Sequence, residues 1–122
     1  MSDMDKMTTG NLINAEKVHG TTVYNAQGDK LGSIEDLVLD KIEGRVQYAV
    51  LSFGGFLGMG DKHYPLPWAA LKYDTRKGGY IVNLDKEQLE NAPAYEADQQ
   101  IDWTPDYGRR VDSFYKIPGA WQ

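Results

Sequence analysis

The chain has no cysteine, which excludes disulfides, thiolate zinc sites, iron–sulfur clusters and cysteine nucleophiles together. Histidine is scarce as well: His19 and His63 are the only two. Neither has further ligands at metal-like spacing, so both read as ordinary surface or turn residues and no metal is expected. Long apolar runs are missing too, since no segment approaches the ~18 apolar residues of a membrane span. The acidic start, Met1 to Asp5, is followed by no apolar run and is unlike a secretory signal. A soluble cytoplasmic protein without membrane insertion is the expectation. Positive charge is the minority: 13 Lys and Arg face 18 Asp and Glu, a net charge of -5. The field of the whole chain therefore repels nucleic acid, and no nucleic-acid partner is expected.

What remains is 122 residues, the size of one domain. Residues 1–17 read as a flexible N-terminal arm anchored by Leu12 and Ile13, and the domain proper is taken as 18–93. Turn signals then recur at short intervals between apolar stretches, the cadence of an all-β domain. Asn25 to Asp29 forms the first turn, after Thr21–Tyr24, and Glu43-Gly44 the second. Arg45–Phe53 is the clearest strand, because Val46, Tyr48 and Val50 alternate with Arg45, Gln47 and Ala49 until Leu51 and Phe53 make both faces apolar. Leu31–Asp40 also fits helical spacing. Strand is preferred, since Gly32 and Ser33 are poor helix residues and Gly32 suits a β-bulge. Lys62–Pro67 follows as an edge strand, with Pro65 and Pro67 at alternate positions. Trp68–Leu71 reads as a single helical turn, and Lys72–Tyr73 and Tyr80–Leu84 flank a loose hairpin turn. Asp85 with Gln88 begins the one well-marked helix, which ends at Ala92-Pro93.

Residues 94–122 hold six aromatics, Tyr95, Trp103, Tyr107, Phe114, Tyr115 and Trp121, among Asp and Arg. A solvated tail has no use for that much aromatic surface, so this C-terminal extension is expected to dock on its own barrel or on a partner. A similar logic applies to residues 53–60, where four glycines are interleaved with Phe53, Phe56, Leu57 and Met59: a loop folded onto its own core or onto another subunit.

The stretch from Val18 to Tyr95 resembles the PRC-barrel family, named after the cytoplasmic domain of the photosynthetic reaction-centre H subunit. Four blocks carry the resemblance: Gly20 to Asn25, Gly28 to Asp40, the glycine-rich Gly44 to Gly60, and Leu66 to Asp74 with its Pro67-Trp68 pair. It implies a small closed β-barrel of about six strands, with one short helix and the aromatic-rich C-terminal extension added here, and it favours strand for Leu31–Asp40. It also implies an interaction module without enzymatic activity. One relative is the C-terminal domain of a ribosome maturation factor, which binds a ribosomal protein; another sits against reaction-centre membrane subunits. This chain has neither the H subunit's transmembrane helix nor an N-terminal RNA-processing domain, and looks more like stand-alone bacterial members.

Chemistry-bearing patterns are sparse. Glu35, Asp36, Asp40 and Glu43 form an acidic group without the order of a calcium loop. If the strand runs without a bulge, Asp36 shares a face with Ile34 and Val38 and needs a partner when buried. Gly55 to Gly60 leads into Asp61-Lys62-His63, not the Gly-Lys-Ser/Thr of a phosphate loop. Ser33, Ser52 and Ser113 lack a nucleophile context, and Arg109-Arg110 can pair with Asp106 and Asp112. The leading expectation is a non-catalytic protein-interaction or adaptor domain that forms a homodimer through Phe53, Phe56, Leu57, Met59, Trp103, Tyr107, Phe114, Tyr115 and Trp121. The alternative is a small-molecule or ion-binding sensor using Asp36, Tyr48 and Trp68 at the barrel mouth. No cofactor is expected in the first.

Overall fold

The computed structural model describes residues 10–53, 62–99 and 101–116. A short helix α1 (Ala15–Val18) leads into strands β1 (Thr22–Tyr24), β2 (Lys30–Leu39), β3 (Val46–Phe53) and β4 (Lys62–Pro67). A single 3-10 turn (Trp68–Ala70) follows, then β5 (Leu71–Asp74), β6 (Gly79–Val82), helix α2 (Lys86–Glu90), the two-residue β7 (Tyr95–Glu96) and helix α3 (Pro105–Tyr115). The seven strands form one sheet in the order β5-β6-β1-β2-β3-β4-β7, antiparallel except for the β1–β6 pair.

Local chemistry accounts for the turns. At the β1–β2 connection the Asn25 side-chain oxygen accepts from the amides of Gln27 and Asp29, so this buried polar residue is satisfied within its own loop. At the β2–β3 connection Asp40 Oδ1 accepts from the amides of Ile42 and Glu43. Those two donors hold the Asp40 carboxyl below the usual carboxylate range. Gly44 closes that turn at φ 78, a backbone region that costs glycine nothing. Before α2, Asp85 and Gln88 form the reciprocal capping box that their spacing predicts.

The strand reading of Leu31–Asp40 holds, with β2 ending one residue earlier. Gly32 adjoins a bulge against β1, where the pairing slips from Val23–Gly32 to Tyr24–Lys30. Against β3 the register slips between Ile34 and Asp36 and again between Val38 and Leu39. Gly32 sits where a Cβ would collide with the Ser52 carbonyl oxygen and meet Leu51 Cδ1 at 3.1 Å. Its lack of a side chain also permits the close approach of β2 to β3.

One face of the sheet builds the main core from Val23, Leu31, Ile34, Ala49, Leu51, Tyr64, Leu66, Tyr80, Val82 and Leu89, with Trp68, Phe53, Phe114 and Tyr115 packed against it. Two expectations change. The sheet has seven strands and, among the described residues, its end strands β5 and β7 are not joined by hydrogen bonds, so no ladder closes a barrel. Pro65 and Pro67 withhold amide donors from β4, whose far side is paired, among the described residues, at Lys62 and His63 alone. The other change is helical content: α1 and the 11-residue α3 join the single helix expected at 85–92.

Gly32→Ala should lower stability by about 2 kcal/mol or more, because the new methyl must displace backbone rather than a flexible side-chain end. A urea midpoint equal to that of the parent chain would refute this account of Gly32.

Candidate functional site

Strand alternation divides β3 between two environments. Ala49 and Leu51 belong to the main core, whereas Tyr48 and Val50 point to the opposite face and are just as buried, at 2% and 1% exposure. The C-terminal segment supplies the cover on that face. The Trp103 ring stacks on Tyr48 at 5.3 Å between centroids and 22° between planes, and Tyr107 meets Trp103 edge-on at 5.4 Å. Thr104 caps α3 by accepting from the Tyr107 amide, with Pro105 in the first turn. From α3, Asp112 Oδ1 accepts a hydrogen bond from the Tyr48 hydroxyl at 3.1 Å, and Val111 is fully buried. Lys116 ends the helix in the left-handed region at φ 58.

This latch is polar at an apolar seam. Asp112 is 7% exposed, and burial pushes its carboxyl above the ordinary aspartate value against the lowering effect of the Tyr48 hydrogen bond. Asp112 Oδ2 and the hydroxyls of Tyr107 and Tyr115 are buried with no hydrogen-bond partner among the described residues. Burial likewise raises the Tyr107 and Tyr115 phenols. It pushes Tyr95 up to about 12, with Tyr107 and Asp36 nearby adding to the rise.

The residues expected to bind a partner are distributed as follows. Phe53 ends β3 half-buried and meets Tyr64 edge-on at 5.5 Å. Trp103 and Tyr107 lie on the Tyr48 face, and Phe114 and Tyr115 reach the main core while meeting each other at 5.0 Å. Within this chain all five are in contact with its own residues. Phe56, Leu57, Met59 and Trp121 lie outside the described residues.

The three residues of the ligand alternative do not line one mouth. Tyr48 is held beneath α3, Trp68 packs on Tyr80 at 5.3 Å against the main core, and Asp36 is exposed. The slip between Ile34 and Asp36 decides which face Asp36 takes. Ile34 pairs with Leu51 and turns inward, while Asp36 pairs with Val50, so the two do not share a face. Asp36 Oδ1 accepts from the Leu37 amide at 2.8 Å.

Asp36 belongs instead to a cleft of about 340 Å³ between α1 and β2, lined by Ala15, Glu16, His19, Asp36, Leu37 and Leu39. His19 Nε2 lies 3.4 Å from Glu35 Oε2 at its edge, with both side chains largely in solvent. The sequence did not single out this cleft, because it is made by the return of the N-terminal segment along β2. Among the described residues no group of three His, Asp or Glu side chains is placed to hold a metal ion. Nor is any helix there long and apolar enough to cross a membrane.

A family model described as PRC-barrel domain matches residues 10–89, most of the sheet and α2. A Deinococcus radiodurans protein carried under the name "uncharacterized protein" is 28% identical over 80 residues, 66% of this chain and 28% of the relative, so the chain spans little over a quarter of that protein's length. A crystal structure from Pseudomonas aeruginosa, of a protein described as the 16S ribosomal RNA processing protein RimM, is 18% identical with a TM-score of 0.41. It covers 66% of this chain and 50% of that one. That likeness is too slight to bear on fold or function.

The latch makes a prediction with a defined sign. Because the folded state raises the Asp112 pKa above its unfolded value, its contribution is fully present below the unfolded value of about 3.8 and is lost as pH rises through the folded one. The stability of the parent chain relative to Asp112→Asn should therefore fall as the pH is raised from about 3.8 toward neutrality. Tyr48→Phe, which strips Asp112 of its donor, should cost about 1–3 kcal/mol at neutral pH. Parallel stability profiles for parent and Asp112→Asn in denaturant titrations across that range would refute the assignment.

Proposed function

We propose that this chain, which belongs to the PRC-barrel domain family, is a non-catalytic protein-interaction or adaptor module that associates with a second copy through residues 53–60. The observation that carries the reading is the fate of the aromatics. Trp103, Tyr107, Phe114 and Tyr115 meet residues of their own chain, and the reading assigns the partner contact to the apolar residues of the glycine-rich block, Phe56, Leu57 and Met59. Phe53 stands half-buried where β3 runs into that block, which places the block's entry beside the main core.

In this reading the tail is a covering element, with Trp103 and the helix α3 part of the folded unit and not a detachable arm. The curved sheet wraps the main core as a barrel does, the protein works in the cytoplasm, and binding requires no cofactor. The ligand-sensor alternative is weaker, because Tyr48 and Trp68 are committed to opposite faces of the sheet.

Light scattering during size-exclusion chromatography tests the reading. The parent chain should run with a dimer's mass at high concentration, and Phe56→Asp should shift it to a monomer with an unchanged circular-dichroism spectrum. A parent chain that stays monomeric at every concentration would sink self-association through this block.

A further inference from the structure

β2 is paired on both sides for only part of its length. β1 accompanies it from Lys30 to Ser33, and the Gly20–Thr21 backbone extends that pairing by two bonds to Ile34. From Glu35 to Leu39 its only strand partner among the described residues is β3. Three of those five residues, Asp36, Leu37 and Leu39, line the α1 cleft. A sheet edge of this kind presents backbone donors and acceptors to whatever lies alongside. The Leu37 amide is already served by a local substitute, the carboxylate of its neighbour Asp36. That bond is made at an exposed site and is the kind an incoming carbonyl can replace.

The side chains around this edge combine two characters. Leu39 is 51% exposed and Ile42, on the adjoining turn, 87%, and these are two of the four large apolar side chains left exposed among the described residues. A third, Leu12, lies on the segment that leads into α1. Around them stand Glu16, Glu35 and Asp36, all exposed, with His19. Asp40 is occupied by the turn amides, and Lys17 and Lys41 are the nearest cations in sequence.

From this geometry we infer a docking site for an extended segment of a partner protein, alternating aliphatic and basic residues, that adds as a strand to the free edge of β2 at Glu35–Leu39. Backbone pairing with the edge supplies affinity without regard to side chain. Aliphatic residues of the segment cover Leu37 and Leu39, while its lysines or arginines meet Glu16, Glu35 and Asp36. The acidic rim selects the sign of the partner, and the overall charge of -5 steers it toward the chain. The proposal uses none of residues 53–60, so it stands or falls independently of self-association.

The test is a titration of the full ¹⁵N-labelled chain with a short peptide alternating valine and lysine, followed by amide shifts at low and moderate salt. Shifts and slowed amide exchange centred on Glu35–Leu39 are expected, with binding weakened at least tenfold by Glu35→Lys combined with Asp36→Lys. A glutamate-for-lysine peptide should not bind, and a lysine peptide carrying proline at alternate positions should bind at least tenfold more weakly, since it cannot pair as a strand. Phe56→Asp should leave the titration unchanged. Shifts mapping elsewhere, no shift at millimolar peptide, or equal binding by the proline peptide would overturn the proposal. Spectra of the variants as dispersed as the parent's keep a folding failure apart from a loss of binding.

Discussion

Four consecutive residues of β3, Tyr48 to Leu51, are buried, and the rest of the molecule is arranged to make that affordable. A strand alternates its side chains, so a run buried without interruption demands cover on both faces of the sheet. The strands can curve around one face and fill it with their own side chains, as the main core does. They cannot cover the other. That task falls to α3 and Trp103, which makes the C-terminal segment part of the fold rather than an appendage. Tyr48 shows the compromise involved: its ring stacks on Trp103 and its hydroxyl reaches Asp112, so the seam gains a directional bond at the cost of a desolvated carboxylate.

Much of the β architecture is legible in the residues because short-range chemistry decides it. Asn25 to Asp29, Asp40 to Gly44 and Asp85 to Gln88 each satisfy their backbone groups from within a few residues, so the turns and the α2 cap follow from composition alone. The strand at 62–67 is readable for a similar reason, since Pro65 and Pro67 restrict where it sits. The C-terminal helix had a signal too: Thr104 and Pro105 are a cap and a first-turn residue, and Tyr107, Val111 and Phe114 follow at helical spacing. Its aromatic content drew attention to docking and away from periodicity.

The position of Asp36 was not legible, and the reason is physical. A bulge is a property of a pair of strands, and the residue at which register slips depends on how β2 and β3 fit over ten residues. A one-residue error in its placement moves every following side chain to the opposite face. The same holds for the cleft against α1, where Glu16 and Leu39 are brought together across more than twenty residues of chain, and for barrel closure, which turns on whether the end strands β5 and β7 meet.

The acidic edge of β2 also bears on which surface can join two copies of the chain. Edge strands tend to pair with their own kind unless something opposes it, and charge is one of the devices that does. Two β2 edges brought together would bring Glu35 and Asp36 of one copy close to the same carboxylates of the other, with like charges opposed in a partly desolvated contact. The penalty is absent for a basic strand and becomes an attraction. A single feature therefore discourages homotypic addition at this edge while leaving it open to a partner of opposite charge.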